Sequence, residues 1–251
     1  MAGVEGRVTL VTGAGRGIGR VTANLLSSRG AKVMAVARSE NELRSLGLDY
    51  CVADLGTPEG CNYALKQTRD RLGPVELLVC NHGIGSAHEK VIWEQEPEVW
   101  RDTMRINLDG PYLLSQAVLK DMLARGYGRL VYTSSTAGQV AEHAGSAYNS
   151  SKHGLLGLMR SVARDAGAFG VTSNAVLPGW VKTPMADASA EAEAKQRGIS
   201  VDQVWEERSS LYPAGRVVTP EEVAEVIAFL ASEESGGVNG EAITVALGGL
   251  M

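Results

Sequence analysis

The sequence predicts a single α/β domain, built on a doubly wound parallel β-sheet of about seven strands with helices on both faces. Short β-branched apolar runs alternate with helical stretches along the chain. These runs are apolar on both sides of the strand, which is typical of parallel strands that helices cover on each face. Right-handed crossovers then make the sheet doubly wound. A chain of 251 residues is long enough to bury the core of one such domain.

The individual elements follow from the same alternation. Seven strands are predicted at residues 7–12, 32–37, 50–53, 75–80, 129–134, 172–177 and 241–245. Helices are predicted at residues 17–29, 58–72, 97–107, 111–125, 146–168 and 220–231. The segment 184–213 is charged, rich in alanine and helical in propensity, yet it lies outside the alternation. Because excursions of this length are often functional lids, we expect a helical substrate lid there, within one domain over residues 1–251.

Composition excludes several classes of protein. The net charge is −5 and charged residues are 21% of the chain, so no basic surface for nucleic acid is expected. No apolar run approaches the ~18–20 residues of a membrane span, and the N-terminus lacks the apolar core of a signal peptide. Cys51, Cys61 and Cys80 have no metal-ligand spacing, so we expect no metal site and reduced cytoplasmic thiols, with a Cys51–Cys61 disulfide left open.

A glycine-rich turn, T-G-A-G-R-G-I-G at residues 12–19, follows the first strand and opens a helix. A phosphate-binding loop requires this context. Gly13 permits a tight turn, Gly17 lets the backbone approach a pyrophosphate, and Gly19 lets the helix pack closely on the strand. The helix N-terminus supplies free N–H groups to the anion. We therefore predict a dinucleotide site, with a glycine turn that binds no ligand as the alternative.

The end of the second strand bears on which dinucleotide binds. An acidic residue there would bond the ribose hydroxyls of NAD and repel a 2′-phosphate. Ala37 occupies this place, Arg38 follows it, and Arg16 of the glycine loop is directed to the same region. Two guanidinium groups without a carboxylate favour NADP(H), and NAD(H) is the alternative if both arginines are surface charges. Asp54 is a candidate partner for the adenine amine.

Tyr148 and Lys152 lie four residues apart in Y-N-S-S-K, and Ser135 lies upstream on another segment. Positions i and i+4 share one face of a helix. A tyrosine titrates near ~10, and a cation within roughly 4–6 Å lowers that pKa. The Ser135 hydroxyl can hold a substrate oxygen against the phenol. The group is suited to proton transfer, although the Tyr–Lys spacing alone also fits a solvated helix face.

These motifs occur in order with N-H-G at residues 81–83, Asn107, and Pro178-Gly179 followed by Thr183. In this the chain resembles the short-chain dehydrogenases/reductases over essentially its full length. The resemblance implies a Rossmann-like fold and hydride transfer between NAD(P)H and a carbonyl or secondary alcohol. It also implies a cofactor site made by Gly13, Gly15, Arg16, Gly17, Ile18, Gly19, Arg38, Asp54, Leu55, Asn81, His82, Gly83, Tyr148, Lys152, Pro178, Gly179, Val181 and Thr183.

The catalytic roles are implied in the same way. Tyr148 would be the general acid–base, Ser135 would position the substrate oxygen, and Lys152 would lower the pKa of Tyr148 and bind the nicotinamide ribose. Asn107 would hold a proton-relay water. Ser134 is adjacent to Ser135, but the Ser-to-Tyr spacing of the family selects Ser135. His82 departs from the usual N-N-A-G, and we interpret it as a wall of the cofactor site.

The substrate is predicted from Ser135, His143, Trp180 and Met185, with largely apolar neighbours that suit an uncharged or bulky carbonyl compound. The motifs look most like those of 3-oxoacyl-thioester and polyketide ketoreductases. A 3-hydroxybutyrate-type or other NAD-dependent alcohol dehydrogenase is the alternative, with His143 or Lys182 as the cation for a carboxylate substrate. A non-catalytic NADP-sensing protein is a third hypothesis, which the intact catalytic set disfavours.

Assembly is predicted from apolar residues on more than one face of the helices at 97–125 and 146–168. Surplus apolar surface of this kind is often buried in a two-fold contact. We expect a homotetramer, as the resemblance also implies, with a dimer as the alternative. The residues on which this rests are Leu108, Tyr112, Leu113, Val118, Leu155, Leu156, Leu158 and Met159, together with the weakly charged C-terminus Gly248-Gly249-Leu250-Met251.

Overall fold

A seven-stranded parallel sheet organises the computed structural model, which describes residues 3–87 and 89–249. Its strand order is β3-β2-β1-β4-β5-β6-β7, and all adjacent pairs are parallel. The predicted fold class is confirmed. The strands are β1 (Val8–Thr12), β2 (Lys32–Ala37), β3 (Asp49–Val52), β4 (Leu77–Cys80), β5 (Gly128–Thr133), β6 (Val171–Pro178) and β7 (Ala242–Val245).

Helices connect the strands and lie within a few residues of the predicted positions. Two features were not predicted: the short α2, and a π-helical turn at Arg105–Asp109 that joins α4 to α5. The helices are α1 (Gly17–Ser28), α2 (Glu40–Arg44), α3 (Pro58–Arg71), α4 (Pro97–Met104), α5 (Gly110–Arg125), α6 (Ser146–Ala166), α7 (Pro184–Arg197), α8 (Val201–Ser210) and α9 (Pro220–Ala231).

Two apolar cores cover the two faces of the sheet, because successive strand residues point to opposite sides. In β1, Leu10 packs into the core beneath α3, α5 and α6, and its neighbour Val11 packs into the core beneath α1 and α9. Both side chains are fully buried. The near-continuous apolar runs of the sequence are therefore the two-sided burial of a parallel sheet.

The strand order reverses between β1 and β4, which makes their carboxyl ends the expected ligand crevice. The backbone amide of Asn81, just after β4, donates to the hydroxyl of Thr12 at 2.9 Å. The Asn81 amide group also donates to the carbonyl oxygen of Gly13 at 3.4 Å. These bonds tie the end of β4 to the glycine turn that follows β1.

Residues 184–213, the predicted lid, contain α7 and α8 and have a small core of their own. Ala186, Ala190 and Ala194 form a stripe on α7 that packs against Val204 and Trp205 of α8. The helical content of the segment is confirmed. Its role as a substrate lid stays a prediction.

The structure also bears on the cysteines and on membrane-spanning helices. Cys51, Cys61 and Cys80 are buried free thiols, so the Cys51–Cys61 disulfide left open above is not formed. In the described part of the chain, no helix combines the length and apolar character needed to span a membrane.

The apolar residues proposed for assembly mostly face the sheet of their own chain. Val118, Leu155, Leu156 and Met159 are buried in the core beside α5 and α6. Leu108, Leu113 and Leu158 are partly buried against the same core, so the surplus apolar surface is smaller than expected. Tyr112 remains 48% exposed. Leu250 and Met251 lie outside the described residues, and the homotetramer stays a prediction.

Candidate active site

The end of β5 and the first turns of α6 bring Ser135, Tyr148 and Lys152 together. Ser135 precedes a single 3-10 turn, where its hydroxyl accepts a hydrogen bond from the amide of Ala137 at 3.1 Å. The same hydroxyl lies beside the phenol of Tyr148 and acts to lower the pKa of that phenol. Ser134 is directed elsewhere, since its hydroxyl donates to the carbonyl oxygen of Lys152 at 3.1 Å. Ser135 is therefore the serine beside the phenol.

Burial dominates the titration of the tyrosine–lysine pair. It raises the pKa of Tyr148 to about 12, against the opposing effect of Ser135. It also lowers the pKa of Lys152 to about 8. The Nζ atom of Lys152 donates to the carbonyl oxygen of Thr133 at 2.9 Å and lies 5.5 Å from the centre of the Tyr148 ring. The predicted lowering of the Tyr148 pKa by Lys152 is not found in this structure.

Asn107 lies in the π-helical turn between α4 and α5, a type of irregularity that is frequent at functional sites. Its side-chain oxygen accepts from the amide of Ile84 at 2.8 Å. Its NH₂ group donates to the carbonyl oxygen of Ile84 at 3.0 Å and to the hydroxyl of Ser151 at 3.1 Å. The side chain thus holds the loop after β4 against α6. The relay water at Asn107 stays a prediction.

The glycine turn fits a dinucleotide because side chains are excluded from it. Gly13 has φ +66°, and a Cβ at Gly19 would collide with the Gly13 carbonyl. Across the crevice, a Cβ at Gly17 would lie 3.3 Å from Cγ2 of Thr183. A Cβ at Gly83 would lie 3.7 Å from Nζ of Lys152. The predicted phosphate loop and the predicted nicotinamide cradle therefore approach one another at Gly17 and Thr183, and Lys152 lies near Gly83.

The adenosine end of this crevice differs from the prediction in one respect. Arg16 and Arg38 are both exposed, as expected for a site open to a phosphate. A carboxylate is also present, because Glu42 of α2 reaches back to the glycine turn. A Cβ at Gly15 would lie 2.6 Å from Oε2 of Glu42, and Arg16 lies 3.9 Å from the same carboxylate. The predicted absence of a carboxylate is wrong, since α2 folds Glu42 beside Ala37.

Two candidate adenosine residues are held by local contacts. The Asp54 carboxylate accepts from the amide of Gly56 at 3.0 Å and lies 3.4 Å from Arg105. These contacts, the Gly56 bond first, lower the pKa of Asp54. Leu55 is buried beside it. Neither residue's role toward adenine is tested by these contacts.

His82 lies behind the glycine turn. A Cβ at Gly13 would lie 2.9 Å from Cα of His82, whose Nδ1 is 2.8 Å from the hydroxyl of Thr12. Burial, together with the charge of Lys152, lowers the pKa of His82 to about 4. The other ring nitrogen, Nε2, is buried with no hydrogen-bond partner among the described residues. The ring is neutral and packed, in keeping with a wall of the site.

The segment after β6 forms the other side of the crevice. The amide of Gly179 donates to Val245 at 3.1 Å, and Val181 is buried and pairs with Val218. Pro178 ends β6. The hydroxyl of Thr183 accepts from the amide of Ala186 at 3.3 Å and so caps α7. Ile18 packs against the sheet at the start of α1.

The predicted substrate residues occupy different surroundings. His143 is exposed and lines a cavity of about 290 Å³ together with Ile92 and Trp93. Met185 faces the loop after β4, since a Cβ at Gly85 would lie 3.3 Å from its sulfur. Trp180 is turned into the core of α7 and α8. His143 therefore borders this cavity and Met185 contacts the loop after β4, whereas Trp180 packs within the predicted lid.

Two cations beside the predicted lid, Lys182 and Arg208, are already paired. Lys182 lies 3.0 Å from Asp187 and stacks on the ring of Trp205. Arg208, which the sequence analysis did not single out, is buried on α8 with its guanidinium 3.6 Å from the Trp180 ring and 2.9 Å from Glu193. No sequence pattern predicts the burial of Arg208, because this burial depends on how α8 packs on the loop after β6.

Comparison with known proteins identifies the family. A family model described as enoyl-(acyl carrier protein) reductase matches residues 13–249. The 3-oxoacyl-[acyl-carrier-protein] reductase of Vibrio cholerae serotype O1 is 36% identical over 249 residues, covering 96% of this chain and 96% of that protein. The chain belongs to the short-chain dehydrogenase/reductase family. The family predicted from the motifs is thereby confirmed.

Solved structures of short-chain dehydrogenases/reductases agree with this assignment. A crystal structure of levodione reductase superimposes with a TM-score of 0.92 at 30% identity, covering 97% of each chain. A tryptophan variant of actinorhodin polyketide ketoreductase with NADPH gives a TM-score of 0.91 at 34% identity, again over 97% of each chain. The protein is an oxidoreductase of this family that acts on CH–OH or keto groups with NAD(P).

Proposed function

We propose that the protein is an NADP(H)-dependent reductase of a 3-oxoacyl thioester or a related neutral ketone. One observation carries this proposal: the Ser135 hydroxyl faces the Tyr148 phenol, with the buried amine of Lys152 one helical turn away. The similarity to a 3-oxoacyl-[acyl-carrier-protein] reductase and to a polyketide ketoreductase supports the substrate class.

The residues suggest a division of labour in the reduction. NADPH supplies the hydride that the carbonyl carbon accepts. The hydroxyls of Ser135 and Tyr148 donate to the carbonyl oxygen and stabilise the negative charge that develops there. Tyr148 then gives its proton to the alkoxide. With its pKa at about 12, the phenol is fully protonated at neutral pH, which is the state that carbonyl reduction requires.

Cofactor binding is assigned to the two sides of the crevice. The turn at residues 13–19 would hold the pyrophosphate, and the segment 178–183 would hold the nicotinamide. Lys152 donates to Thr133 and has further N–H groups for the nicotinamide ribose. Arg16 and Arg38 would bind a 2′-phosphate.

A second candidate function is supported by Glu42. A carboxylate beside Gly15 is suited to accept hydrogen bonds from the adenosine ribose hydroxyls of NAD and repels a 2′-phosphate. This observation favours an NAD-dependent secondary-alcohol dehydrogenase. The two exposed guanidinium groups keep NADP(H) as the first choice.

The charges around the cleft support a neutral substrate. Lys182 and Arg208 are paired with Asp187 and Glu193, so neither is free for a substrate carboxylate. The cleft wall carries Glu142, whose pKa is raised by burial. Ile92 and Trp93 add exposed apolar surface. A thioester or ester of a 3-oxo acid suits this lining better than the free acid.

The test is a panel of matched carbonyl substrates with NADPH and with NADH. A 3-oxoacyl thioester, ethyl 3-oxobutanoate and free 3-oxobutanoate are compared by the loss of reduced-cofactor absorbance. We expect the two neutral compounds to be reduced with NADPH and the free acid to be poor. Ser135→Ala should abolish this activity, whereas Ser161→Ala, an exposed position on the same helix as Tyr148, serves as the matched control. Selective use of the free acid with NADH would establish the second candidate instead.

A further inference from the structure

The loop between β4 and α4 reaches across the cleft to the start of α6. Oε2 of Glu89 accepts from the amide of Ala147 at 2.8 Å, and Oε1 accepts from the amide of Tyr148 at 2.7 Å. Gly145, which precedes α6, has no side chain to cap the helix. Amides in the first turn of a helix lack partners within the helix. Glu89 supplies the missing acceptors for these two amides, although it lies 58 and 59 residues away in the sequence.

The same loop is held at its other end by a second residue of the site. Ile84 exchanges two hydrogen bonds with the side chain of Asn107. Beyond Glu89, the loop carries the exposed Ile92 and Trp93 that line the cavity beside α6. One segment therefore joins the cleft wall to Asn107 and to the backbone of Tyr148.

We propose that Glu89 is a positioning residue for the reaction proposed above. By binding the amides of Ala147 and Tyr148, its carboxylate holds the first turn of α6 and the loop at residues 84–87 and 89–96 as one unit. The order of the cleft wall and the orientation of the Tyr148 phenol then depend on one another. The inference rests on the proposed function for its catalytic part, and on the two hydrogen bonds for its structural part.

The charge of Glu89 should also affect the pKa of Tyr148. Tyr148 faces Ser135 and Lys152, and the charges of Glu142 and Glu89 both raise its pKa. Among the described residues no salt bridge reaches Glu89, because the neighbouring Lys90 pairs with Glu96 at 2.6 Å. Burial raises the pKa of Glu89, and its bonds to the two amides oppose this. Removing the charge at position 89 should therefore lower the pKa of Tyr148.

Three variants test the proposal. Glu89→Ala removes both acceptors, and Glu89→Gln keeps one acceptor without the charge. Glu94→Gln is the matched control, because Glu94 lies on the same loop and is exposed with no side-chain hydrogen bond among those described. For each protein we would measure kcat and KM of carbonyl reduction, the Kd of NADPH, the pH dependence of alcohol oxidation, and exchange of the Ala147 and Tyr148 amide protons.

We expect Glu89→Ala to lower kcat by about tenfold or more, since small misplacements of a reacting group are costly, with an unchanged Kd for NADPH. Exchange at both amides should accelerate. Glu89→Gln should recover part of kcat and shift the rise of alcohol oxidation to lower pH, because the phenolate forms more easily. Glu94→Gln should match the wild type in every measurement.

Two results would overturn the inference. Unchanged amide exchange in Glu89→Ala would show that the carboxylate does not hold α6. Faster amide exchange in Glu89→Ala with an unaltered kcat and pH profile would show that Glu89 stabilises the start of α6 but does not position Tyr148 for catalysis. A wild type that reduces no carbonyl compound would instead refute the proposed function, and the exchange measurement would still decide whether Glu89 joins the loop to α6.

Discussion

The Nζ atom of Lys152 lies 5.5 Å from the centre of the Tyr148 ring and donates a hydrogen bond to the carbonyl oxygen of Thr133. The end of β5 therefore holds the amine. Burial lowers the pKa of Lys152 to about 8 and raises that of Tyr148 to about 12. The phenol keeps its proton at neutral pH, which favours proton donation during carbonyl reduction.

Tyr148→Phe should lower kcat by ~10²–10⁴-fold, the usual contribution of general acid–base catalysis. The phenyl ring retains the packing of α6, so the Kd of NADPH should stay close to the wild-type value. Steady-state kinetics and cofactor titration would measure both. Tyr63→Phe on α3 is the control, since Tyr63 is 51% exposed and has no role in the proposed site. More than about a tenth of the wild-type kcat in Tyr148→Phe would exclude Tyr148 as the acid.

Ala37→Asp should shift cofactor preference from NADPH toward NADH. A carboxylate at the end of β2 would repel the 2′-phosphate and accept from the ribose hydroxyls. The comparison is kcat/KM with each cofactor in wild type and variant. A wild type that already prefers NADH would contradict the assignment of Arg16 and Arg38 to a phosphate.

Glu42→Gln should act in the opposite direction and raise kcat/KM for NADPH relative to NADH by a few-fold. Its carboxylate lies near Gly15 and 3.9 Å from Arg16, so its removal frees the guanidinium for a phosphate. The effect should diminish with added salt, because the pair is exposed. Glu40→Gln on the same helix, where Glu40 pairs with Arg44, is the control. Equal effects of the two substitutions would remove Glu42 from the cofactor site.

His82 should make the fold sensitive to acid. The unfolded chain takes up a proton near the ordinary pKa of 6.5, whereas the folded chain takes it up only near about 4. The free energy of unfolding should therefore fall as the pH drops from 6.5 toward 4, by on the order of 3 kcal/mol. Chemical denaturation across this range would measure the slope. His82→Ala should flatten it, and the exposed His143→Ala should not; equal slopes in wild type and His82→Ala would contradict the prediction.

The protein should form a homotetramer, with a mass about four times the 26.5 kDa of the chain. Tyr112 and Trp100, which are 48% and 40% exposed, are apolar residues available for contacts between α4–α5 faces. Light scattering on a sizing column at micromolar concentration measures the mass. A single species at the monomer mass would refute the prediction, and a dimer would support the alternative.

The order of strands and helices along the chain and the position of the glycine turn could be predicted from the sequence. Leu10 and Val11 already indicate two-sided burial, because strand side chains alternate over neighbouring residues. The glycines at 13, 17 and 19 mark a strand-to-helix turn in the same short-range way. The spacing of Tyr148 and Lys152 places them on one helical face. Each of these conclusions depends on residues that are close in the sequence.

The contacts that tune the site depend on the tertiary structure. Glu89 meets the amide of Tyr148 across 59 residues, and Glu42 returns to Gly15 through a helix that the sequence analysis did not predict. The pKa values of Tyr148 and Lys152 are set mainly by burial, which no spacing reveals. Periodicity reports local geometry, whereas desolvation and long-range pairing arise only when separate segments pack together. The sequence therefore determined which residues could do the chemistry, and the packing of the β4–α4 loop, α2 and α6 decided their charge and their partners.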